Sequence, residues 1–322
     1  MASLLETLGF INTLEPGDVQ SDEEMTVIPL IGDTLGHVAS PEAIQFRRTT
    51  TYGTMQYDNV DKHNPAIIPA HVMVRGKDAQ DHAMSGSGVV LAASDRLFDN
   101  ACCIESSQGG TFSGQKVDED ILPIGLRKAL LDRNLRQRTS YDKLWGSIRT
   151  WLSGLRKVRP SRNRAHLRDF FDEPNYKEAL EEFAAAFEPV EGQIGALILF
   201  NGIPVGLEIM PSADHWLAYW KWLIRGCYGS HLIKMREVGE LPRSTMILPE
   251  IPEDGDAKEV MTQFIDNIKM SIAPMLESIQ VASQDRIDSS GRMITELIRT
   301  EGGGGGDVIT QNSKPVYLSL VL

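Results

Sequence analysis

The feature that most constrains the fold lies at residues 194–210, where IGALILF and IPVGLEIM flank the dipeptide Asn201-Gly202. Two apolar runs of strand length around Asn-Gly predict a β-hairpin closed by a two-residue turn. Pro204 lacks a backbone N–H and is expected at an edge. Ser212 then opens a helix predicted over 212–238, which carries Trp216, Trp220 and Trp222 at a spacing that reads as a packing face.

Upstream, residues 68–111 alternate apolar runs with polar residues that have no evident structural duty. AIIPAHVMV, GVVLAAS and ACCIES read as short buried strands, and the loops around them contain RGKDAQDHAMSGSG and SQGGTFSGQ. TVIPLI is a further strand nearer the start. From about residue 126 the period becomes helical. Leu126, Leu130, Leu131 and Leu135 share one face; Leu144, Ile148, Trp151, Leu152 and Leu155 form another stripe, with arginines on the far sides. Asn175 is placed to cap a third helix, with Tyr176, Leu180, Phe183, Ala184 and Phe187 as its stripe. A helix is predicted over 257–283 with a bend at Pro274. Two or three strands follow, joined by the glycine run 302–306 as a mobile connector.

These patterns give an α+β fold: a β-rich portion over 1–120, then an α+β portion over 121–322 with basic helices, the 194–210 hairpin and the 302–306 loop. No flexible linker marks the junction, so one continuous domain fits the sequence equally well.

The net charge of −12 conceals an asymmetry. Residues 127–168 hold thirteen Lys/Arg against Asp132 and Asp142, a local +11, so the remainder carries −23. Such a band either attracts anions or neutralises the protein's own acidic body. Cys102, Cys103 and Cys227 are an odd set with two adjacent members, which suits free thiols in a reducing compartment and no zinc motif. No metal site is expected. No run of about 18 apolar residues is present and the first residues lack a secretion signal, so the expectation is a cytoplasmic protein with no membrane partner.

Two clusters carry candidate chemistry. Arg75, Lys77, Gln80, Asp81 and His82 fall within eight residues at predicted strand ends, offering cations for phosphate, an amide for base or ribose, and a carboxylate beside an imidazole. In the second, Cys103 and Glu105 share a strand face and are followed by Gln108, Gly109 and Gly110, whose backbone can approach a ligand. A buried Glu105 requires a partner, which Arg75, Lys77 or His82 could supply. Neither this loop nor Gly86-Ser87-Gly88 is a Walker loop or dinucleotide fingerprint.

Taken together, LGF near the start, the polar loop with Gly76 and Gln80-Asp81, the strand ending Cys103-Ile104-Glu105, the Trp-bearing helix and the module GQIGALILFNGIPVGLEIM resemble a bacterial domain family over most of residues 5–235. It is the family named for its genomic association with ADP-ribosylglycohydrolases and rhodanese-like phosphatases. The resemblance implies an ADP-ribose or NAD setting and names no cofactor. The expected function is a cytoplasmic protein that binds a nucleotide-type anionic ligand, ADP-ribose-like or NAD-derived, in NAD metabolism or phage defence. Arg75, Lys77, Gln80, Gln108, Gly109 and Gly110 would hold the ligand. One alternative is a hydrolase of such a ligand, with Glu105 or Asp81 as general base and His82 as proton partner. Another is an interaction protein that sets its basic helices on nucleic acid or an acidic partner; overall acidity and the lack of a known module make nucleic acid the less expected one.

Overall fold

The computed structural model describes residues 9–11, 13–22, 24–77, 79–107, 109–114, 116–158, 164–243, 257–287 and 292–322. In chain order, the first strands are β1 (Glu15–Pro16), β2 (Gln20–Asp22), β3 (Met25–Ile31), β4 (Ile44–Arg48), β5 (Met55–Asn59) and β6 (Ala66–Ile68). They are followed by β7 (Val72–Arg75), β8 (His82–Ala83), β9 (Gly88–Val90), β10 (Ser94–Phe98), β11 (Cys102–Cys103) and β12 (Asp118–Ile121). Five helices come next: α1 (Ile124–Ala129), α2 (Arg133–Gln137), α3 (Trp145–Leu152), α4 (Arg168–Phe171) and α5 (Pro174–Ala185). The hairpin strands β13 (Gln193–Phe200) and β14 (Ile203–Ile209) lead into α6 (Ala213–Lys221), a π-helical stretch Trp222–Gly229, and α7 (Ser230–Val238). Helix α8 (Ala257–Glu277) precedes β15 (Gln280–Arg286), β16 (Met293–Arg299), β17 (Gly305–Gln311) and β18 (Lys314–Val321). The fold is α+β.

The hairpin stands at the centre. Asn201 and Gly202 both take positive φ, 46° and 74°, as its two-residue turn requires. Its strands continue an antiparallel nine-stranded sheet ordered β1-β3-β13-β14-β18-β17-β16-β15, with β2 also on β3. The N-terminal β3 pairs with β13 along seven registered positions, so the sheet crosses the junction near residue 120. β13 is buried throughout because both faces are covered. Leu197 and Leu199 face a core shared with Phe264, Ile268 and Ile272 of α8. Ala196, Ile198 and Phe200 face the opposite core, which contains Trp216, Trp220 and strands of the N-terminal portion. Of the tryptophan face, Trp222 is only partly buried. No helix among the described residues is long and apolar enough to cross a membrane.

Several boundaries differ from the sequence reading. The 126–135 stripe is two helices, because the Asp132 side chain caps α2 by accepting from the Asn134 and Leu135 amides. α5 begins with Pro174 at its first position, so Asn175 lies inside the first turn. β14 is paired on both sides, yet β18 covers only Gly206–Ile209, and Pro204 stands beyond the end of that ladder. α8 ends at Glu277, and residues 280–286 form the outermost strand. Gly305 and Gly306 belong to β17, so the glycine run is a connector only in its first part; side chains there would strike the backbone of neighbouring strands. The basic segment is also not uniformly outward-facing. Arg127 is fully buried on Glu208, Arg136 reaches buried Asp307, and the Lys143 ammonium donates to the carbonyls of Asn100, Arg136 and Arg138.

Candidate functional site

A four-stranded sheet, β11-β8-β7-β12, draws the two polar segments together. His82 pairs with Cys103 across β8 and β11. Just beyond, the Ile104 amide donates to the Asp81 carbonyl at 2.9 Å and the Gln80 side-chain amide donates to the Glu105 carbonyl at 2.7 Å. The Gln80 backbone N–H donates to the Gly110 carbonyl at 3.2 Å. A third segment then adds on: Ser106 N–H donates to Ala165 O at 2.8 Å and Leu167 N–H to Ile104 O at 3.3 Å, with Glu105 bridged to His166. Alternation along Ala165-His166-Leu167-Arg168 buries the two apolar residues and presents His166 and Arg168 to the polar cluster.

The residues expected to do acid–base chemistry take different duties. Asp81 is buried, and both of its oxygens are used: Oδ1 accepts from Arg168 Nη2 at 2.6 Å and from the Gly76 amide at 3.0 Å, and Oδ2 accepts from Arg168 Nε at 3.1 Å. Burial raises its pKa while Arg168 opposes the rise. This bidentate clamp fixes Arg168. His82 is also buried; its Nδ1–H donates to the Gln80 carbonyl at 2.6 Å and its Nε2 accepts from the Gly53 amide at 3.0 Å. Burial lowers its pKa to about 4, so the ring is neutral with both nitrogens engaged. Both His82 nitrogens are thus held by backbone groups, and the imidazole beside Glu105 is that of His166. The Cys103 thiol donates to the Glu105 carbonyl at 2.9 Å, and burial pushes its pKa up to about 12. All three cysteines are free and buried.

Glu105 is buried, with Oε1 3.0 Å from His166 Nδ1. Burial, then the nearby charge of Asp81, pushes its pKa up to about 7. Burial lowers the pKa of His166, whose Nε2 lies 2.8 Å from the Ser107 hydroxyl. With Nε2 unprotonated, His166 can accept the Ser107 proton, and Nδ1 faces the Glu105 carboxylate as a close polar contact. Ser107 itself is exposed. Ser107 Oγ also donates to Glu105 Oε1 at 3.4 Å, so hydroxyl, imidazole and carboxylate form a compact cluster with the hydroxyl at its solvent-facing edge.

Arg75 is linked to this cluster by charge. Its guanidinium lies 4.7 Å over the Phe171 ring, 3.4 Å from Asp172 and 3.9 Å from Asp120; Asp172 in turn lies 3.8 Å from Arg168. Arg75 lines a cleft of about 380 Å³ together with Lys177, Lys221 and Arg225. A neighbouring cleft of about 270 Å³, lined by Tyr57, Pro69 and Tyr219, shares Glu119 and Trp222 with it. Lys77, Gly109 and Gly110 are exposed, and Gln108 lies outside the described residues. The sequence reading missed Ser107, His166, Arg168 and Asp172. The one local signal was the apolar–polar alternation around His166 and Arg168 inside a segment read as a charge band.

No curated protein and no solved structure matches the chain. A family model does, over residues 13–319, and its description ties the domain to ADP-ribosylglycohydrolases and rhodanese-type phosphatases. It spans the polar cluster, the hairpin and the sheet, and agrees with the resemblance carried by Gln80-Asp81 and Cys103-Ile104-Glu105. The chain belongs to the ARG and Rhodanese-Phosphatase-superfamily-associated Protein domain family.

Proposed function

We propose that this protein is a hydrolase acting on an ADP-ribose-like or NAD-derived ligand, with Glu105 and His166 as its proton-moving pair. The observation that carries the reading is the cluster of Ser107, His166 and Glu105, in which a carboxyl of pKa about 7 lies 3.0 Å from one nitrogen of an imidazole and the other nitrogen meets an exposed hydroxyl. A carboxyl that ionises near neutral pH beside His166 can stabilise a proton taken up by the ring. His166 Nε2 takes the proton of the attacking oxygen and returns it to the leaving group, while Glu105 stabilises the imidazolium formed between. Arg168, clamped by Asp81, and Arg75 supply positive charge beside that reaction. The test is turnover of ADP-ribose and NAD by the whole protein, with products separated by chromatography. Glu105→Gln and His166→Ala should each lower the rate at least about 100-fold with the fold intact by circular dichroism; unchanged rates in both remove the pair from the mechanism.

A second reading is ligand binding without turnover. It rests on the Arg75 cleft, which adjoins the aromatic walls formed by Tyr57, Tyr219 and Trp222 and in which four cations share the lining with Asp118, Glu119, Asp120, Asp172 and Glu181. Aromatic faces suit a base. A melting shift with ADP-ribose that Arg75→Gln abolishes, without product from the parent protein, selects this reading. The absence of a shift with any nucleotide counts against both.

A further inference from the structure

We propose that Tyr52 and Tyr141 form a stacking surface for the planar base of the ligand, beside the loop that carries Ser107. The inference rests on the hydrolase reading of that loop and adds which part of the substrate the protein grips. Among the described Phe, Tyr and Trp residues these two are the exposed ones, at 42% and 37%. They also touch each other, with ring centroids 5.5 Å apart and planes tilted by 54°. Adjoining aromatic faces left in water mark a place where something else packs.

Both rings hang on the strand pair that leads to Glu105. His82 and Cys103 stand opposite each other across β8 and β11. His82 Nε2 accepts from the Gly53 amide, next to Tyr52, at 3.0 Å, and the Cys103 amide donates to the Tyr141 carbonyl at 2.7 Å. Thr54 closes the turn, its Oγ1 accepting from the Thr50 and Thr51 amides at 3.0 Å each. Gly53 takes a φ of 80°, and a Cβ there would lie 3.0 Å from the Tyr141 Cβ, so glycine is what lets the two tyrosines meet. Trp145 backs Tyr141 edge-on at 5.7 Å. The buried His82 thus fixes the turn that carries a ring.

The same segments set the rings at the Ser107 loop. The chain leaves β11 at Glu105 and returns at Gly110, and Gln80 holds both points, through its side chain to the Glu105 carbonyl and its backbone amide to the Gly110 carbonyl. Ser107 follows the first anchor. At the second, the Gly110 amide donates to the Tyr52 hydroxyl at 3.4 Å, so the exposed hydroxyl and the exposed rings flank one short loop. Size sets what the rings take. A tyrosine side chain buries about 150–250 Å² at most, so two rings less than half exposed fall far short of the ~800 Å² per partner of a stable protein interface. They match one planar ring, and stacking accepts any base because every base has a π-face. The substrate class is therefore a nucleotide that keeps its base.

The test titrates the full chain by calorimetry with AMP and with ribose phosphate, which lacks the base, and measures KM and kcat with ADP-ribose. AMP should bind at least about fivefold more tightly than ribose phosphate. Tyr52→Leu and Tyr141→Leu should each weaken AMP binding, and raise the KM for ADP-ribose, by about fivefold or more with kcat little changed, and should leave the response to ribose phosphate as it is. Tyr52→Phe keeps the ring and drops the Gly110 contact, and should bind AMP as the parent does. AMP binding that depends on both rings in a protein that never turns over ADP-ribose upholds the stacking surface and removes the hydrolase reading alone. No AMP binding, equal affinity for the two probes, or AMP affinity unchanged in the Tyr52→Leu/Tyr141→Leu double variant overturns the surface, and leaves turnover by Glu105 and His166 to its own test.

Discussion

Two parts of the molecule use the same device for opposite ends. In each, an arginine of the basic segment is set on a carboxylate far away in sequence: Arg127 on Glu208 at 2.7 Å, and Arg168 on Asp81 at 2.6 Å. The first pair sits on the inner face of the large sheet. Glu208, Ser319 and Asp307 are registered partners across β14, β18 and β17, forming a polar row on which Arg127 and Arg136 converge. Tyr228 closes the row by donating to Glu208 at 2.7 Å. Leu207, Ile209, Leu318 and Leu320 point to the opposite core, and Arg127, Glu208, Ser319 and Asp307 are themselves fully buried, so only Arg136 at the end of the row reaches a cavity wall. The second pair leads through Asp81 and Glu105 to His166 and then to exposed Ser107. A sealed network can hold elements together but cannot exchange protons with a substrate. One with a wet end can do both, and this separates a structural ion pair from a candidate site even when the residue types are alike.

The largest effect should come from breaking the sealed row. Arg127→Met leaves Glu208 buried without its cation, and loss of one partner from a buried pair costs about 3–5 kcal/mol. Urea unfolding of the variant measures it. Arg127 Nε and Glu208 Oε2 have no hydrogen-bond partner, so the pair carries a desolvation penalty of its own. The double variant Arg127→Met/Glu208→Leu should therefore recover most of the loss. No recovery would mean that the row stabilises the sheet through more than charge compensation.

Arg168→Met should cost less, about 1–3 kcal/mol, because Arg168 is only partly buried and Asp81 keeps the Gly76 amide. Equal losses at Arg127 and Arg168 would erase the distinction between the sealed and open networks. The expected split is that Arg127→Met lowers stability alone, whereas Arg168→Met also lowers turnover by displacing Asp81 and the charge beside Glu105.

How much of this was legible follows from how far apart the partners are. The hairpin was readable because Asn201-Gly202 and its flanking runs act locally. The meeting of Gln80-Asp81 with Glu105 was readable because two short apolar strands, β8 and β11, place their polar ends side by side. His82 and His166 were not distinguishable, since a neutral ring held by backbone atoms and a ring beside a carboxylate have the same letter, and His166 enters from a segment some sixty positions downstream. Arg127 read as an exposed charge because its partner lies on a strand eighty-one residues away. The start of β15, residues 280–283, was read as the end of a helix because an outermost strand carries polar residues, here QVASQDR, that blur the two-residue rhythm.

Glu105→Gln should act on stability and turnover in opposite directions. The carboxyl titrates at about 7 in the folded protein, above its ordinary 4.5, so the folded state holds the proton more tightly than the unfolded chain. Stability from this group is therefore lost as pH rises from about 4.5 through about 7 and stays lost above. The glutamine has no such charge to bury. At pH 8 the variant should be more stable than the parent by about 1–2 kcal/mol, a value discounted for the solvated Ser107 end, and the difference should vanish near pH 4. His82, lowered to about 4, drives the opposite trend by destabilising the fold as pH falls from about 6.5 through 4. The comparison must accordingly be made between variant and parent at each pH. Turnover by the parent should rise through about pH 7 as Glu105 ionises, and the variant should lose both the rate and that rise.

The smallest structural effect and the sharpest chemical one should meet at Ser107. Its hydroxyl is exposed, so Ser107→Ala should change stability by less than about 0.5 kcal/mol in thermal or urea unfolding. With the fold untouched, turnover reports only on the attacking oxygen. If the Ser107 hydroxyl attacks, the rate falls as far as in His166→Ala, and the two losses do not add in the double variant because they remove one step. If His166 draws its proton from water, the alanine variant keeps its rate and a small reagent that acylates serine leaves the parent active. A stability loss of 2 kcal/mol or more in Ser107→Ala would show that the open end of the network is load-carrying after all, and would place it beside the Arg127 row as a purely structural arrangement.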